Sequence, residues 1–259
     1  TPKFAKKLKG NVCSLLYTNA SKDNYYHWLT DVLPKIGILQ KTNLFNKINF
    51  FLIHGKHKNF QSESLKLLNI DNRKLIDANK FNHIYAENLI TVDHPFMKKN
   101  FLLDSKSLPP WISEWYKKKL IKFKQTKKKN ILVLRKNSQR RKILNENELT
   151  RYLKSKSFKP VYLEDLSFKK QINLFAQANI VIGLNGAGLS NLFFSNRKTK
   201  VIEIMFKNSN LAICGISKSS KLKYYNFFLD QTKVNRNKNQ DGEGIINIEK
   251  FKKKLMKLI

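Results

Sequence analysis

At 259 residues and 41% apolar side chains, the chain has room for one large or two small cored domains and is not a disordered protein. No apolar run approaches the ~20 residues of a membrane-spanning helix, and the two cysteines, Cys13 and Cys214, make neither a disulfide framework nor a zinc pattern. A net charge of +33 admits a polyanion partner, but Lys and Asn recur with Ile and Phe almost everywhere and Arg is sparse, which disfavours a nucleic-acid surface of clustered Arg and aromatics.

The chain starts at Thr1 rather than Met, which leaves room for a leader, anchor or further N-terminal region before it. Residues 1–10 are basic and read as a frayed lead-in; Asn11–Tyr17 reads as a strand. Ser21–Asn24 offers N-caps for a helix whose apolar stripe is Tyr25, Leu29, Val32, Leu33 and Ile36. Pro34 is expected to kink or end it. His27 and Asp31 are four apart and share a face, so a carboxylate can orient an imidazole there as an acid–base unit. A surface pair of no consequence fits the same spacing. A strand within 47–54, a helix over Gln61–Leu68 and short strands at Lys74–Asp77 and Leu89–Val92 complete an α/β half. His54, His57, His83 and His94 lack metal-ligand spacing and read as solvated or packing residues.

Pro109-Pro110 punctuates the chain and starts a helix with Trp111, Ile112, Trp115, Tyr116, Leu120 and Phe123 on one stripe. The domain boundary is expected within 105–125, which gives domains of 1–115 and 116–259. The run from Lys117 to Lys142 contains no acid and suits an anionic membrane or substrate; its part Lys122–Asn130 reads as a surface connector. Two isolated thiols fit a reducing compartment, so the chain is expected to be cytoplasmic, with peripheral contact at the inner face of the plasma membrane.

From there strands and helices alternate. Ile131–Leu134, Pro160–Leu163, Ile180–Ile182, Lys200–Met205 and Tyr224–Leu229 read as strands. Asn145–Ser155, with Asn145 as cap and Glu148 in capping-box position, Phe168–Ala176 and Ile248–Leu258 read as helices. Lys233–Gln240 reads as a flexible loop. The pattern predicts a doubly wound, mostly parallel sheet with its ligand beyond the strand C-termini. The residues collected there are Arg135, Lys136, Arg140 and Arg141, then Glu164 and Asp165, then a loop containing Asn185, Gly186, Gly188 and Asn191, with a helix expected from Leu189. Glycines let backbone approach a ligand, a helix N-terminus favours an anion, and arginine holds phosphate bidentately. Glu203 lies inside an apolar run and must be paired or functional, because burying it alone is costly. There is no GxGxxG in the first strand–helix turn and no P-loop motif, so a standard dinucleotide fold is disfavoured.

Four segments, NYYHWLTDVLPKI (24–36), ILVLRKNSQRRKILNENEL (131–149), EDLSFKKQINLFAQANIVIGLNGAGLSNLFF (164–194) and VIEI (201–204), occur in order. Together they resemble glycosyltransferase family 61 over roughly residues 11–230. The resemblance implies a GT-B-like α/β fold, two Rossmann-like domains facing across a cleft. It implies inverting transfer from a nucleotide sugar to a surface-polysaccharide or other glycan acceptor, free or lipid-linked, as in capsular polysaccharide biosynthesis, with no cofactor and no obligatory metal. Arg135, Arg140 or Arg141, Asn145 and Glu146 would sit near the donor diphosphate, and Gly186, Gly188 and Asn191 would form the donor loop. His27 and Asp31 would face the acceptor, with Asp31 the favoured base. One position departs: the family loop reads G-x-H-G-A-G, and Asn185 stands where its histidine would be. A basic protein binding nucleic acid or an anionic surface, and a catalytically weak glycan-binding relative, are the alternatives.

Overall fold

Strand-forming runs alternate with amphipathic segments along the chain, and the fold follows them. The computed structural model describes residues 5–18, 20–55, 58–81, 83–98, 101–102, 104–122, 128–136, 141–234 and 242–258. The chain divides into two units: Thr1–Asp104 with Lys118–Leu120 and Ser167–Lys169, and Ser105–Lys117 with Ile121–Leu166 and Lys170–Ile259.

The first unit begins with β1 (Lys6–Ser14) and a short helix α1 (Ala20–Asp23). A composite helix follows: α2 (Tyr25–His27), a π-helical turn Trp28–Val32, and α3 (Leu33–Leu39). Then come β2 (Phe50–Ile53), α4 (Asn59–Leu67), β3 (Leu75–Asp77), β4 (Ile84–Thr91) and an antiparallel ribbon of β5 (Met97–Lys98) and β6 (Phe101–Leu102). The four-stranded sheet is parallel throughout, in the order β3-β2-β1-β4. Residues 6–10 are not a frayed lead-in. They pair with β4, Lys6 opposite Ile84 and Leu8 opposite Ala86, with Leu8 turned inward and the lysines left in solvent. Pro34 does not end its helix either. It enters α3 in the first turn, directly after the π-turn, where the wider backbone takes a residue that has no N–H to donate.

Helix α5 (Pro110–Leu120) leads to the second unit's strands and helices: β7 (Lys129–Leu134), β8 (Lys142–Ile143), α6 (Glu146–Ser155), β9 (Phe158–Tyr162), α7 (Phe168–Ala176) and β10 (Ala178–Leu184). These are followed by β11 (Lys200–Met205), α8 (Ala212–Ser219), β12 (Lys223–Phe228), β13 (Asp230–Val234), β14 (Gly242–Ile245) and α9 (Ile248–Met256). The five-stranded sheet is parallel, in the order β12-β11-β10-β7-β9. Its central strands β7, β10 and β11 are apolar at both alternations over most of their length because both faces are covered. Leu132, Ile182 and Ile204 pack with Leu149, Leu153, Phe251 and Leu255 on one face, while Ile131, Val181 and Val201 are buried on the other. Each such aliphatic side chain contributes about 1.5–3 kcal/mol by leaving water.

Some expectations change. The segment after the glycine loop is a 3₁₀ helix, Ala187–Phe194, not the start of an α-helix. Helix α8 and a small mixed sheet, β13-β14-β8, had no strong periodicity to announce them. Lys233 lies in β13, Lys129 and Asn130 in β7. The remaining lysine-run and loop residues 123–127, 137–140 and 235–240 fall outside the described residues.

Candidate functional site

In each parallel sheet the strand order reverses at one point, between β1 and β4 in the first unit and between β7 and β10 in the second. Chains diverge there, and a crevice opens beyond the strand C-termini. Both places hold a cluster of chemically active side chains.

In the second unit the crevice is a cavity of about 430 Å³ lined by Val133, Leu134, Arg135, Arg141, Leu163, Glu164, Leu184, Ala187, Gly188 and Leu189. Arg135 leaves the end of β7 and its Nη2 donates to the carbonyls of Leu184, at 3.3 Å, and Asn185. A Cβ on Gly186 would collide with that guanidinium, so the glycine is needed for space. Burial and the neighbouring Arg141 lower the Arg135 pKa to about 10, against the pull of Glu164 and Glu146; it remains a cation at neutral pH. Arg141 Nη1 donates to Asn185 Oδ1 at 2.6 Å. Asn185 thus accepts from both arginines, through its main chain and its side chain.

The rest of the loop is stitched from behind. Asn191 donates to Gly188 O and to Gln171 Oε1, both at 2.9 Å. Gln171 donates to the carbonyls of Leu163 and Leu166 at 3.0 Å, which fixes the turn that carries Glu164. Asn191 is therefore a brace beneath the cavity, while Gly188 lines it. Asn145 does not reach the lining. It is the N-cap residue of α6, but its amide is spent on Ile246, donating to the carbonyl and accepting from the N–H at 3.0 Å each, so it makes no side-chain cap bond; Glu148 accepts its Nδ2 at 3.1 Å. Glu146 is half-buried near Arg135, and its carboxyl is pushed up by burial although Arg135 pulls it down. Arg140 lies outside the described residues.

Glu203 is buried and accepts from Asn185 Nδ2 at 2.5 Å and from Tyr224 Oη at 2.5 Å. The register explains the arrangement. Glu203 pairs with Gly183 on β10, and Val201 pairs with Tyr224 on β12. Residues two apart on a strand share a face, so Tyr224, Glu203 and Asn185 form a diagonal row across three strands. Burial raises the Glu203 carboxyl above its ordinary range, opposed by the hydrogen bonds from Tyr224 and Asn185 and by Arg141.

In the first unit, His27 Nδ1 lies 2.7 Å from Asp31 Oδ2. The other oxygen, Oδ1, accepts from Thr30 Oγ1 at 2.7 Å, and His94 Nε2 stands 3.4 Å away, long for a hydrogen bond. His94 Nδ1 accepts from Phe96 N at 3.2 Å, so Nε2 carries the proton and turns its positive edge to the carboxylate. The His94 ring stacks on Tyr17, centroids 4.5 Å apart. Tyr17 follows β1 and His94 follows β4, which is what brings them together at the reversal. Burial pushes Asp31 up, but the hydrogen bond from His27, the near approach of the His94 N–H, the hydrogen bond from Thr30 and the charge of His27 together hold its carboxyl below the usual range. Asp31 is 5% exposed, His27 33%.

Sequence reasoning brought out His27, Asp31 and the loop, and missed Thr30, His94, Gln171 and Tyr224. Thr30, beside Asp31 in the first motif, was the one with a local signal. Among the described residues no three His, Cys, Asp or Glu side chains are grouped to hold a metal ion, and no helix is long and apolar enough to cross a membrane.

Parallel α/β units with a cavity at a strand-order reversal are consistent with a Rossmann-like fold. The profile of the Glycosyltransferase 61 family matches residues 25–202, well over half of the chain, and the chain belongs to that family. A stretch of 79 residues is 34% identical to the EGF domain-specific O-linked N-acetylglucosamine transferase of Canis lupus familiaris; it covers 29% of this chain and 15% of the dog protein.

Proposed function

We propose that the chain is an inverting glycosyltransferase with a GT-B-like arrangement, in which the second unit holds a nucleotide-sugar donor and the first activates a glycan acceptor. The observation that carries this is the pairing of Arg135 and Arg141 in the cavity at the β7–β10 reversal of a family 61 chain. Two guanidiniums there offer the charge that a departing nucleotide diphosphate needs, in place of a metal. Glu164, on the same wall, is placed to accept from sugar or ribose hydroxyls.

His27, rather than Asp31, suits the base. Asp31 is buried with both oxygens engaged, and its bond to Nδ1 leaves Nε2 as the basic nitrogen of a third-exposed ring. In the step, His27 takes the acceptor hydroxyl proton, the acceptor oxygen bonds the anomeric carbon, and the bond from that carbon to the diphosphate breaks with its electron pair leaving on the phosphate oxygen. The acceptor class we favour is a surface polysaccharide or its lipid-linked precursor, at the cytoplasmic face of a membrane; the net charge of +33 suits such an anionic setting. A thermal-shift screen of nucleotide sugars tests the reading, since a bound donor stabilises by RT ln(1 + [L]/Kd). The expected result is stabilisation by one nucleotide class, lost in Arg141→Ala. No stabilisation by any nucleotide sugar or nucleoside diphosphate overturns it.

A further inference from the structure

Asn185 lies in the glycine loop beside the cavity, and the geometry gives it a task other than touching a ligand. Its two amide heads are both taken, Oδ1 by Arg141 and Nδ2 by Glu203. An amide is directional: it passes on an acceptor at one end only while it donates at the other. The Glu203 carboxylate, which only accepts, therefore sets which way the amide faces, with the Asn210 carbonyl at 3.5 Å a weaker second acceptor on the same side. With Nδ2 turned to Glu203, Oδ1 must face Arg141. Tyr224 fixes the second carboxylate oxygen in turn. None of Tyr224, Glu203 or Asn185 lines the cavity; Arg141 does.

We propose that Tyr224, Glu203 and Asn185 are positioning residues, a buried relay that sets the orientation of Arg141 towards the diphosphate of the donor. The diphosphate part of this rests on the nucleotide-sugar reading above; the orientation of Arg141 does not. A guanidinium sits at the end of a long side chain with several rotatable bonds, so a fixed acceptor at 2.6 Å narrows the directions it can take. The Arg141 backbone lies in the left-handed region, φ 47°, and strand β8, which pairs with β14, begins at the next residue. The sequence encodes the relay as a two-residue periodicity on one sheet face rather than as a motif. That is why an acid inside the apolar run VIEI is compatible with a parallel core strand. Position 185 thus acts on the cavity through Arg141 rather than by direct ligand contact.

The test uses the full chain in two arms. In the first, the ligand-free protein is labelled with ¹⁵N-arginine and the Arg141 Nη signals are assigned with Arg141→Lys. Restricted guanidinium rotation is expected in the wild type, and faster averaging in Glu203→Leu, Asn185→Ala and, more weakly, Tyr224→Phe, but not in the surface control Lys252→Ala. Glu203→Leu is the sharp variant, because it removes the acceptor that Asn185 Nδ2 faces, whereas a glutamine could keep its oxygen on Asn185 and donate its amide to the Tyr224 hydroxyl. Tyr224→Phe is the mild one, which removes a single hydroxyl. Unchanged Arg141 signals in Glu203→Leu and Tyr224→Phe overturn the relay. In the second arm, calorimetry with UDP, GDP, CDP and ADP is run on the same proteins. The expected loss for Glu203→Leu is on the order of tenfold in Kd, with no further loss when it is combined with Arg141→Ala. Additive losses overturn the relay. Failure of the wild type to bind any of the four overturns the nucleotide-sugar reading while the first arm still decides the relay.

Discussion

His27 Nδ1 and Asp31 Oδ2 lie 2.7 Å apart across the π-helical turn Trp28–Val32. The turn is where the first unit departs from regular helix, and such insertions gather at functional positions. The pair divides the labour between an exposed ring and a buried carboxylate. His27→Ala is therefore expected to lower kcat by about 10²–10⁴-fold with little change in donor KM. Asp31→Asn is expected to lower it less, because the ring remains while its orientation loosens. Turnover with a nucleotide-sugar and acceptor mixture measures both. Near-normal turnover in His27→Ala with none in Asp31→Asn would return the base to Asp31.

The buried carboxylates of the two units give opposite pH signatures. Burial works against Asp31, but His27, His94 and Thr30 outweigh it and hold its folded pKa below the ordinary 3.8. Its contribution to stability is thus complete above 3.8 and lost as pH falls through the lower folded value. Burial holds Glu203 above its ordinary 4.5. The folded state keeps that proton longer, so stability falls as pH rises from 4.5 through the folded value. Denaturant unfolding between pH 2 and 8 should show the acid limb flattened in Asp31→Asn. The decline above 4.5 should be flattened in Glu203→Gln. Equal slopes in wild type and variants would remove both assignments.

Gly186 matters through space rather than dihedral freedom. A Cβ there meets the Arg135 guanidinium, which is itself bonded to the carbonyls of Leu184 and Asn185. Gly186→Ala is expected to destabilise by about 1–3 kcal/mol through overpacking and to weaken nucleoside diphosphate binding by displacing Arg135. Gly188→Ala is the comparison. Its Cβ would meet only Leu163 Cδ1, at 3.0 Å, the end of an apolar side chain rather than a hydrogen-bonded guanidinium. Calorimetry that finds the two variants equal would show that the Arg135 seat is not what Gly186 protects.

What the sequence made legible was whatever local periodicity carries. Strands with apolar residues at both alternations, such as Lys200–Met205, stood out at their full length, and the helix around His27 and Asp31 emerged from its stripe. Strand β1 was shortened because Lys6–Lys9 reads as a charged tail; only its pairing with β4 makes it a strand. The partners of site residues were hidden for the same reason. His94 reaches Asp31 because the strand order brings β4 beside β1, and Tyr224 reaches Glu203 because β12 runs beside β11. Those are facts of topology, which no window of residues contains. Asn145 was expected near the donor diphosphate and Asn191 in the donor loop; their amides clamp backbone at Ile246 and Gly188.

The sharpest single substitution is Asn185→Asp, which is isosteric and changes only the donor. The atom that faces Glu203 Oε1 at 2.5 Å becomes an oxygen, so two carboxylates confront each other with no hydrogen between them unless one proton is shared. At neutral pH the buried pair must either keep that proton or part. Either outcome is expected to cost about 1–3 kcal/mol, the penalty of an unmet buried polar contact. The shared proton is bound by the folded state and absent from the unfolded one at neutral pH, so the variant gains stability as pH falls. Urea unfolding should therefore find the gap to wild type narrower at pH 5 than at pH 8. Diphosphate affinity should fall at both, because Arg141 is drawn into an ion pair at position 185 and away from the cavity. A gap that is constant with pH would mean that the Asn185 amide does not face Glu203 in solution.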